Sequence, residues 1–333
     1  MSAREKFALP PRTMNFEGKP RLIGVELEFA AVTADRVAYR IKQLYGGTIT
    51  REDNFRYHIN GTRHGDFTAE LDTQYAHRNP DEGSPFDPGI AGWIATFRDG
   101  MRELYGEVGS LVIPYEVVCP PIEMDTLPEL ENLLDALRQE GARGTRENLF
   151  YAFGAQLNPE IATRDPEWIL AVLKSQILLS DWLRAVIRLD TARQLFSFAD
   201  AFPLEYSKRI LKADYWPDLE TIITDYLKSN PTRNRELDML PLFSWLLADL
   251  VDNYVQDSKI KKRPTFHYRL PDANISQPNW SITLEWNRWV VIEKLAQDKD
   301  KLNEMGEAYI KNAQSMFPEN WAFMCTEWLL DIK

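Results

Sequence analysis

A ten-residue segment in which apolar and polar side chains alternate, Arg21–Ala30 (RLIGVELEFA), limits the possible folds of this chain more than any other feature. Successive side chains of a β-strand point to opposite faces, so this alternation predicts a strand with one face toward a core. The predicted core residues stand at every second position: Ile23, Val25, Leu27 and Phe29. Glu26 and Glu28 then lie on the other face, about 6.6–6.8 Å apart along the strand. Carboxylates at that spacing suit neighbouring cations, and a solvated outer face is the alternative.

Five further segments show the same alternation, with polar residues on the face away from the core. They are Phe67–Asp72, Leu111–Ile122, Phe153–Asn158, Phe266–Leu270 and Ser281–Asn287. If all six strands are neighbours in one sheet, a single face collects these side chains: Glu26, Glu28, Glu70, Glu116, Gln156, His267, Arg269 and Glu285. That adjacency is a hypothesis, because alternation sets the face of a residue only within its own strand. The carboxylates would repel one another unless divalent cations neutralise them, and oxygen ligands suit magnesium or manganese.

The middle of the chain, residues 165–257, has helical periodicity. Asp165 followed by Pro166 is typical of a helix cap and a first-turn proline. Apolar residues then recur at helical spacing: Ile169, Val172, Leu173 and Ile177. Strands and helices that do not alternate in a strict βαβ order predict an α+β protein with a mostly antiparallel sheet.

Charge and composition argue against several classes of protein. The net charge is -11, and the longest basic cluster is short enough to be interpreted as a solvated helix end: Lys259, Lys261, Lys262 and Arg263. A nucleic-acid-binding protein would be expected to carry a larger basic patch. The two cysteines, Cys119 and Cys325, have neither zinc-like spacing nor the number needed for a disulfide framework, and Cys119 is predicted to be a buried thiol. With no apolar run of about 18 residues, we expect a soluble cytoplasmic protein that binds neither nucleic acid nor membrane.

Four short motifs occur in order along the chain. They are GVELEF (Gly24–Phe29), YEVVCPP (Tyr115–Pro121), FGAQLNPE (Phe153–Glu160) and TLEWNRW (Thr283–Trp289). The first resembles the Glu-x-Glu metal-binding strand of glutamine synthetases and glutamate–cysteine ligases. The second resembles the Glu-Leu-Val-Ser-Pro-Pro motif of the amidoligase family, the carboxylate–amine ligases of the same superfamily. The last two stand where that family has Gly-x-His-Val-His and a Glu-Phe-Arg strand.

The chain departs from the family pattern at two places. Gln156 and Asn158 stand where the family has two histidines, and an amide is a weaker ligand than imidazole for softer metals. In the last motif the arginine comes one position late, at Arg288, and a shift of one residue along a strand reverses the face. Arg269 is therefore the preferred candidate for a phosphate contact.

The resemblance implies a fold, a reaction and a set of site residues. The fold would be a single catalytic domain over residues 1–333, with a glutamine-synthetase-like curved antiparallel sheet, helices on its convex side, and residues 165–257 as a mainly helical insertion. The concave face would bind ATP and two or three magnesium or manganese ions. ATP would phosphorylate a substrate carboxylate, and an amine would then displace the phosphate to form an amide. The substrates would be small molecules or peptides that carry a carboxylate and an amine, and the oligomeric state stays open.

The resemblance also distributes roles among the residues of the shared face. The metal-binding residues would be Glu26, Glu28, Glu70, Glu116 and Glu285. The catalytic residues would be Arg269 and Arg288, and the contacts to the nucleotide would come from Arg269, His267 and Gln156.

Two other functions remain open. A phosphotransferase such as a guanidino kinase would be expected to hold ATP mainly with arginines, whereas glutamates dominate the predicted face. A non-catalytic binding or scaffold protein on the same fold is the second alternative, because Gln156 and Asn158 replace the two histidines. Magnesium-dependent ATP binding with turnover would exclude the scaffold role.

Overall fold

The computed structural model of the protein describes residues 5–71, 114–145, 153–187 and 199–330. The strands within these ranges are β1 (Leu22–Phe29), β2 (Thr48–Arg51), β3 (Arg56–Thr62), β4 (Gly65–Leu71), β5 (Tyr115–Val118), β6 (Ile122–Glu123), β7 (Ala155–Pro159), β8 (Leu237–Asp238) and β9 (His267–Tyr268). The α-helices are α1 (Ala34–Tyr45), α2 (Glu131–Gln139), α3 (Pro166–Ile187), α4 (Leu204–Ile210), α5 (Leu219–Ser229), α6 (Leu240–Leu246), α7 (Ala248–Asp252), α8 (Ile282–Ala296), α9 (Lys299–Ala313) and α10 (Trp321–Leu330). A 3-10 helix, Met124–Leu130, leads into α2.

The strands form one sheet in the order β2-β3-β4-β5-β1-β7-β9-β8, and β6 pairs with β1 beside this path. Every named pair of strands is antiparallel. The predicted α+β class with a mostly antiparallel sheet is confirmed. Asp72 and residues 111–113, which belonged to two predicted strands, lie outside the described ranges.

One face of the sheet is apolar and is covered by helices. The alternation predicted for β1 is confirmed, because its four apolar side chains are fully buried: Ile23, Val25, Leu27 and Phe29. In α1, Tyr45 stacks on Phe67 of β4, with 5.5 Å between ring centroids. In α8, Trp289 lies 5.4 Å from the rings of both Phe266 and Tyr268. These contacts place α1 and α8 on the apolar face and leave the polar face on the other side.

Helix α3 begins at Pro166, as the sequence predicts. All its residues from Trp168 to Ser180 are buried, so this part of the helix is surrounded by protein rather than lying on the surface. The range 165–257 is mostly helical where it is described, but it also contains β8, which joins the sheet through β9. Its identification as an insertion stays a prediction. Among the helices of the described residues, none combines the length and the apolar character that a bilayer crossing requires.

The strand predicted at Ser281–Asn287 is wrong, because these residues form the start of α8. A window of seven residues fits an alternating pattern, but a longer window shows helical spacing in the buried residues Ile282, Trp286, Trp289 and Val290. Ser281 caps the helix, since its side chain accepts a hydrogen bond of 2.9 Å from the Leu284 amide. The cap and the helical stripe together outweigh the local alternation.

Ser281→Ala is expected to lower the free energy of unfolding by about 1 kcal/mol, because the first turn of α8 loses its capping acceptor. Urea denaturation followed by circular dichroism measures this change. Thr326→Ala in α10 is the matched control, since Thr326 is exposed and caps no helix, and it should change stability little. Equal stability of Ser281→Ala and the wild type would contradict the capping role.

Lys174 is a buried lysine on α3 whose pKa is lowered to about 7, first by burial and then by the nearby charge of Lys299. Its ammonium group lies 3.9 Å from the centre of the Trp216 ring and donates to the carbonyl oxygen of Lys212. Because the unfolded chain then binds more protons than the folded one, stability rises with pH from about 7 toward 10.

Lys174→Met is therefore expected to flatten this rise in the free energy of unfolding, by up to ~1.4 kcal/mol per pH unit. Urea denaturation at pH 7, 8, 9 and 10 measures the slope. Lys228→Met, on the exposed side of α5, is the control and should leave the slope as it is in the wild type. A slope unchanged in Lys174→Met would show that this ammonium group does not titrate in that range.

Candidate active site

Three glutamates lie side by side on the polar face, one from each of three adjacent strands. Glu116 of β5 is directly opposite Glu28 of β1 and also directly opposite Glu70 of β4. Residues paired in this way have Cβ atoms about 4.5–5.5 Å apart. We call Glu70, Glu116 and Glu28 the glutamate row. The sequence predicts the face of each one, and the strand order brings them into register.

Arg56 of β3 lies at one end of the glutamate row, directly opposite Glu70. Its Nε donates to Glu70 Oε2 at 2.5 Å, and its Nη1 donates to Glu52 Oε1 at 3.1 Å. Glu52 also lies 2.7 Å from Nε2 of His58. Strand β3 and Arg56 were not predicted from the sequence, although the alternation in RYHINGT, Arg56–Thr62, is a signal that indicates a strand there.

Glu28 and Glu26 receive hydrogen bonds from β7 and from the residue just before it. The amide of Gly154 donates to Glu28 Oε2 at 2.7 Å, and Gln156 Nε2 donates to Glu28 Oε1 at 3.2 Å. Asn158 Nδ2 donates to Glu26 Oε1 at 2.8 Å. The two amides that replace the family's histidines therefore turn their nitrogens toward the glutamates of β1.

Two basic side chains lie behind these amides. Nε2 of His267 is 2.5 Å from Gln156 Oε1, and Arg263 Nη2 donates to Asn158 Oδ1 at 3.1 Å. Arg263 Nη1 also lies 3.5 Å from Glu26 Oε1. The interpretation of the 259–263 cluster as a solvated helix end is wrong for Arg263, because the segment before β9 is irregular and directs this side chain to the site. Nothing in the local sequence separates Arg263 from its neighbouring lysines.

The charges of this region hold Glu26 in its ionised form. Burial acts to raise the pKa of Glu26, but the positive charges of His267 and Arg263 and the hydrogen bond from Asn158 outweigh it, so the pKa is lowered. Burial lowers the pKa of His267, although Asp238 and Glu26 act to raise it. A histidine with a lowered pKa is mostly neutral near pH 7, so the permanently charged Arg263 is the steadier partner of Glu26.

Arg269 and Cys119 also lie near this region. Arg269 follows β9 on the same side as His267, and its Nη1 donates to the carbonyl oxygen of Arg233. Its charge acts on both Glu26 and His267. Cys119 is buried as predicted, and burial, followed by the charge of Glu26, raises the pKa of its thiol.

Glu285 and Arg288 are not brought to the polar face. Both lie on α8, which packs on the apolar face of the sheet, and Arg288 Nη1 donates to Glu285 Oε1 at 2.5 Å. Trp280 Nε1 donates to the same oxygen at 2.8 Å. The expectation that Glu285 shares a face with the other glutamates is wrong, because it rested on a strand that is a helix. Arg288 is likewise placed in an ion pair behind the sheet.

The glutamate row offers carboxylate oxygens, which are the ligands that magnesium prefers in proteins. In the part of the chain that the structure describes, no three His, Cys, Asp or Glu side chains converge closely enough to hold a metal ion together. The oxygen donors fit a hard cation in kind, but the described side chains do not converge on one point, so the metal-binding roles of the glutamates stay predictions.

The chain matches the model of a known protein family. The model of a family described as "Putative amidoligase enzyme" matches residues 19–291, which include the glutamate row, both amides of β7, His267, Arg263 and Arg269. No curated protein sequence matches the chain. The family match covers most of the chain and spans the whole polar face of the sheet. The chain therefore belongs to the family described as putative amidoligase enzyme.

Proposed function

We propose that the protein is an ATP-dependent carboxylate–amine ligase that forms an amide or peptide bond through an acyl phosphate. Membership of the family supports an amide-forming ligase. The proposed dependence on ATP rests on one observation: the strand register places Glu70, Glu116 and Glu28 in one row on a single face. The proposal includes a curved sheet like that of glutamine synthetases. It also includes a cytoplasmic location, because a reducing compartment suits two free cysteines.

The chemistry needs a leaving group on the substrate carboxylate. A carboxylate oxygen attacks the γ-phosphorus of ATP, which forms the acyl phosphate and releases ADP. The amine nitrogen then attacks the acyl carbon, phosphate leaves with the C–O bond electrons, and the nitrogen loses a proton. Magnesium, when bound, neutralises charge that develops on the transferred phosphoryl group.

On the polar face, the negatively charged residues and the positively charged residues would have different roles. The glutamate row would hold the cations, and Glu26, whose pKa is lowered by the charges of His267 and Arg263 and by the hydrogen bond from Asn158, would complete the negative side of the site. Arg269, at the far side of β7 from the row, would contact the phosphates, because a guanidinium presents several donors to phosphate oxygens. Glu285 and Arg288 take no part in this proposal, since they lie behind the sheet.

Calorimetric titration with ATP, in the presence and absence of magnesium, tests the proposal. We expect the wild type to bind ATP only with magnesium, and Glu26→Ala/Glu28→Ala to lose that binding. The control is Glu17→Ala/Glu205→Ala, which removes the same charge from two exposed surface ion pairs and should bind as the wild type does. Pairs of carboxylates and amines can then be screened for ADP release.

The same titration can reject the proposal. A folded wild-type protein that binds no ATP with either magnesium or manganese would favour the second candidate, a non-catalytic binding or scaffold protein. That candidate is supported by Gln156 and Asn158, whose amide nitrogens face the glutamates where the family has histidines. ATP binding that persists without metal and in the double variant would place the nucleotide elsewhere.

A further inference from the structure

The side-chain amide of Gln156 joins Glu28 to His267 through two contacts. An amide donates from its nitrogen and accepts at its oxygen, whereas an ionised carboxylate only accepts. The nitrogen must therefore face Glu28, at 3.2 Å, and the oxygen faces His267 Nε2, at 2.5 Å. It follows that Nε2 of His267 carries a proton. We call this arrangement of His267, Gln156 and Glu28 the Gln156 link.

The side-chain amide of Asn158 makes a second link of the same form. A guanidinium only donates, so the oxygen of Asn158 must face Arg263, at 3.1 Å. The nitrogen of Asn158 then donates to Glu26 at 2.8 Å. We call this arrangement of Arg263, Asn158 and Glu26 the Asn158 link. In both links a basic side chain donates a hydrogen bond to the oxygen of an amide. The nitrogen of that amide then donates to a glutamate of β1.

Burial holds the side-chain amides of Gln156 and Asn158 in these orientations. Gln156, Asn158 and His267 are all buried, so a rotated amide would leave buried polar atoms without partners. Water cannot easily replace the lost contacts, and the cost of an unpaired group is greatest in such surroundings. Each glutamate carboxylate is thereby held in one orientation before any cation arrives.

We propose that Gln156 and Asn158 are positioning residues, which hold Glu28 and Glu26 in place for cation binding and are themselves oriented by His267 and Arg263. The cation-binding part rests on the proposed function. An amide N–H group cannot bind a cation, so the end of each amide nearest the glutamates is a donor and not a metal ligand. This assignment replaces the predicted nucleotide contacts of Gln156 and His267.

The first test needs no metal. The chain has four histidines, so protein labelled with 15N at histidine and treated with EDTA gives a simple imidazole spectrum. The His267 signals are identified by their absence in His267→Phe. We expect Nε2 of His267 to be protonated, and its signal to shift in Gln156→Leu but not in Thr68→Val, a control on the same face. An unprotonated Nε2, or no shift in Gln156→Leu, would overturn the Gln156 link.

The second test measures Mn2+ affinity by electron paramagnetic resonance of the free ion. Removing a residue that orients a ligand typically weakens metal binding 10–100-fold, so we expect about 10-fold from Gln156→Leu and from His267→Phe. The double variant should lose no more than either single one, because both act through one link. By contrast, the losses from Asn158→Leu and His267→Phe should multiply, to about 100-fold.

Arg263→Lys should lose less affinity than Arg263→Met, because lysine keeps the positive charge and can still donate to Asn158, although it lacks the two-armed guanidinium. Losses from Gln156→Leu and His267→Phe that multiply would overturn the positioning role, since they would then act separately. A wild-type protein that binds no Mn2+ would overturn the proposed function instead. The histidine spectrum alone would then decide whether the amide of Gln156 holds Glu28.

Discussion

Arg21→Met is expected to lower the free energy of unfolding by about 3–5 kcal/mol, because it leaves a buried carboxylate without its partner. Arg21 and Glu293 are both 0% exposed, and the two guanidinium Nη atoms of Arg21 reach the two Glu293 oxygens at 2.8 and 2.7 Å. Arg21 also donates to the carbonyl oxygens of Arg12 and Glu160. The pair joins the start of β1 to α8, so its loss would loosen the attachment of that helix to the sheet.

Urea denaturation measures this loss, and two variants control it. Arg21→Met/Glu293→Leu should recover part of the stability, because it removes both charges and leaves no unpaired carboxylate, although the buried Nε1 of Trp289 then loses its acceptor on Glu293. Lys19→Met breaks the exposed pair with Glu17 and should have no measurable effect. If Arg21→Met lowers the free energy of unfolding by less than about 1 kcal/mol, the buried ion pair contributes less to stability than its geometry indicates.

Glu116→Gln is expected to weaken magnesium-dependent ATP binding at least about 100-fold, because Glu116 is the middle member of the glutamate row. Glutamine keeps the size of the side chain, so packing is preserved while the charge is removed. Calorimetric titration with ATP and magnesium measures the affinity. Once a substrate pair is known, the release of ADP should fall in parallel.

Thr68→Val is the control for Glu116→Gln, because Thr68 lies on the same face of β4, two residues from Glu70. It should bind ATP as the wild type does. Unfolding of both variants in urea shows whether either one has lost its fold. If Glu116→Gln binds ATP normally while folded, the cations are not held by the row.

Much of the sheet could be predicted from the sequence, because the alternation of side chains is a local property. The apolar face of β1 and the opposite positions of Glu26, Glu28, Glu70 and Glu116 follow from it. The start of α3 at Pro166 likewise follows from a cap and a first-turn proline. Where a short alternation also fitted a longer helical pattern, as at Glu285, the local signal was ambiguous and the prediction was wrong.

Local alternation thus establishes which residues of each strand are polar and which face they share within that strand. The alignment of Glu70, Glu116 and Glu28 in one row does not follow from alternation, because the register of neighbouring strands depends on how the whole sheet pairs. The fold also brings Arg263 to Glu26, although 237 positions separate them in the chain. Contacts over such separations arise from packing, and no local pattern of side chains encodes them.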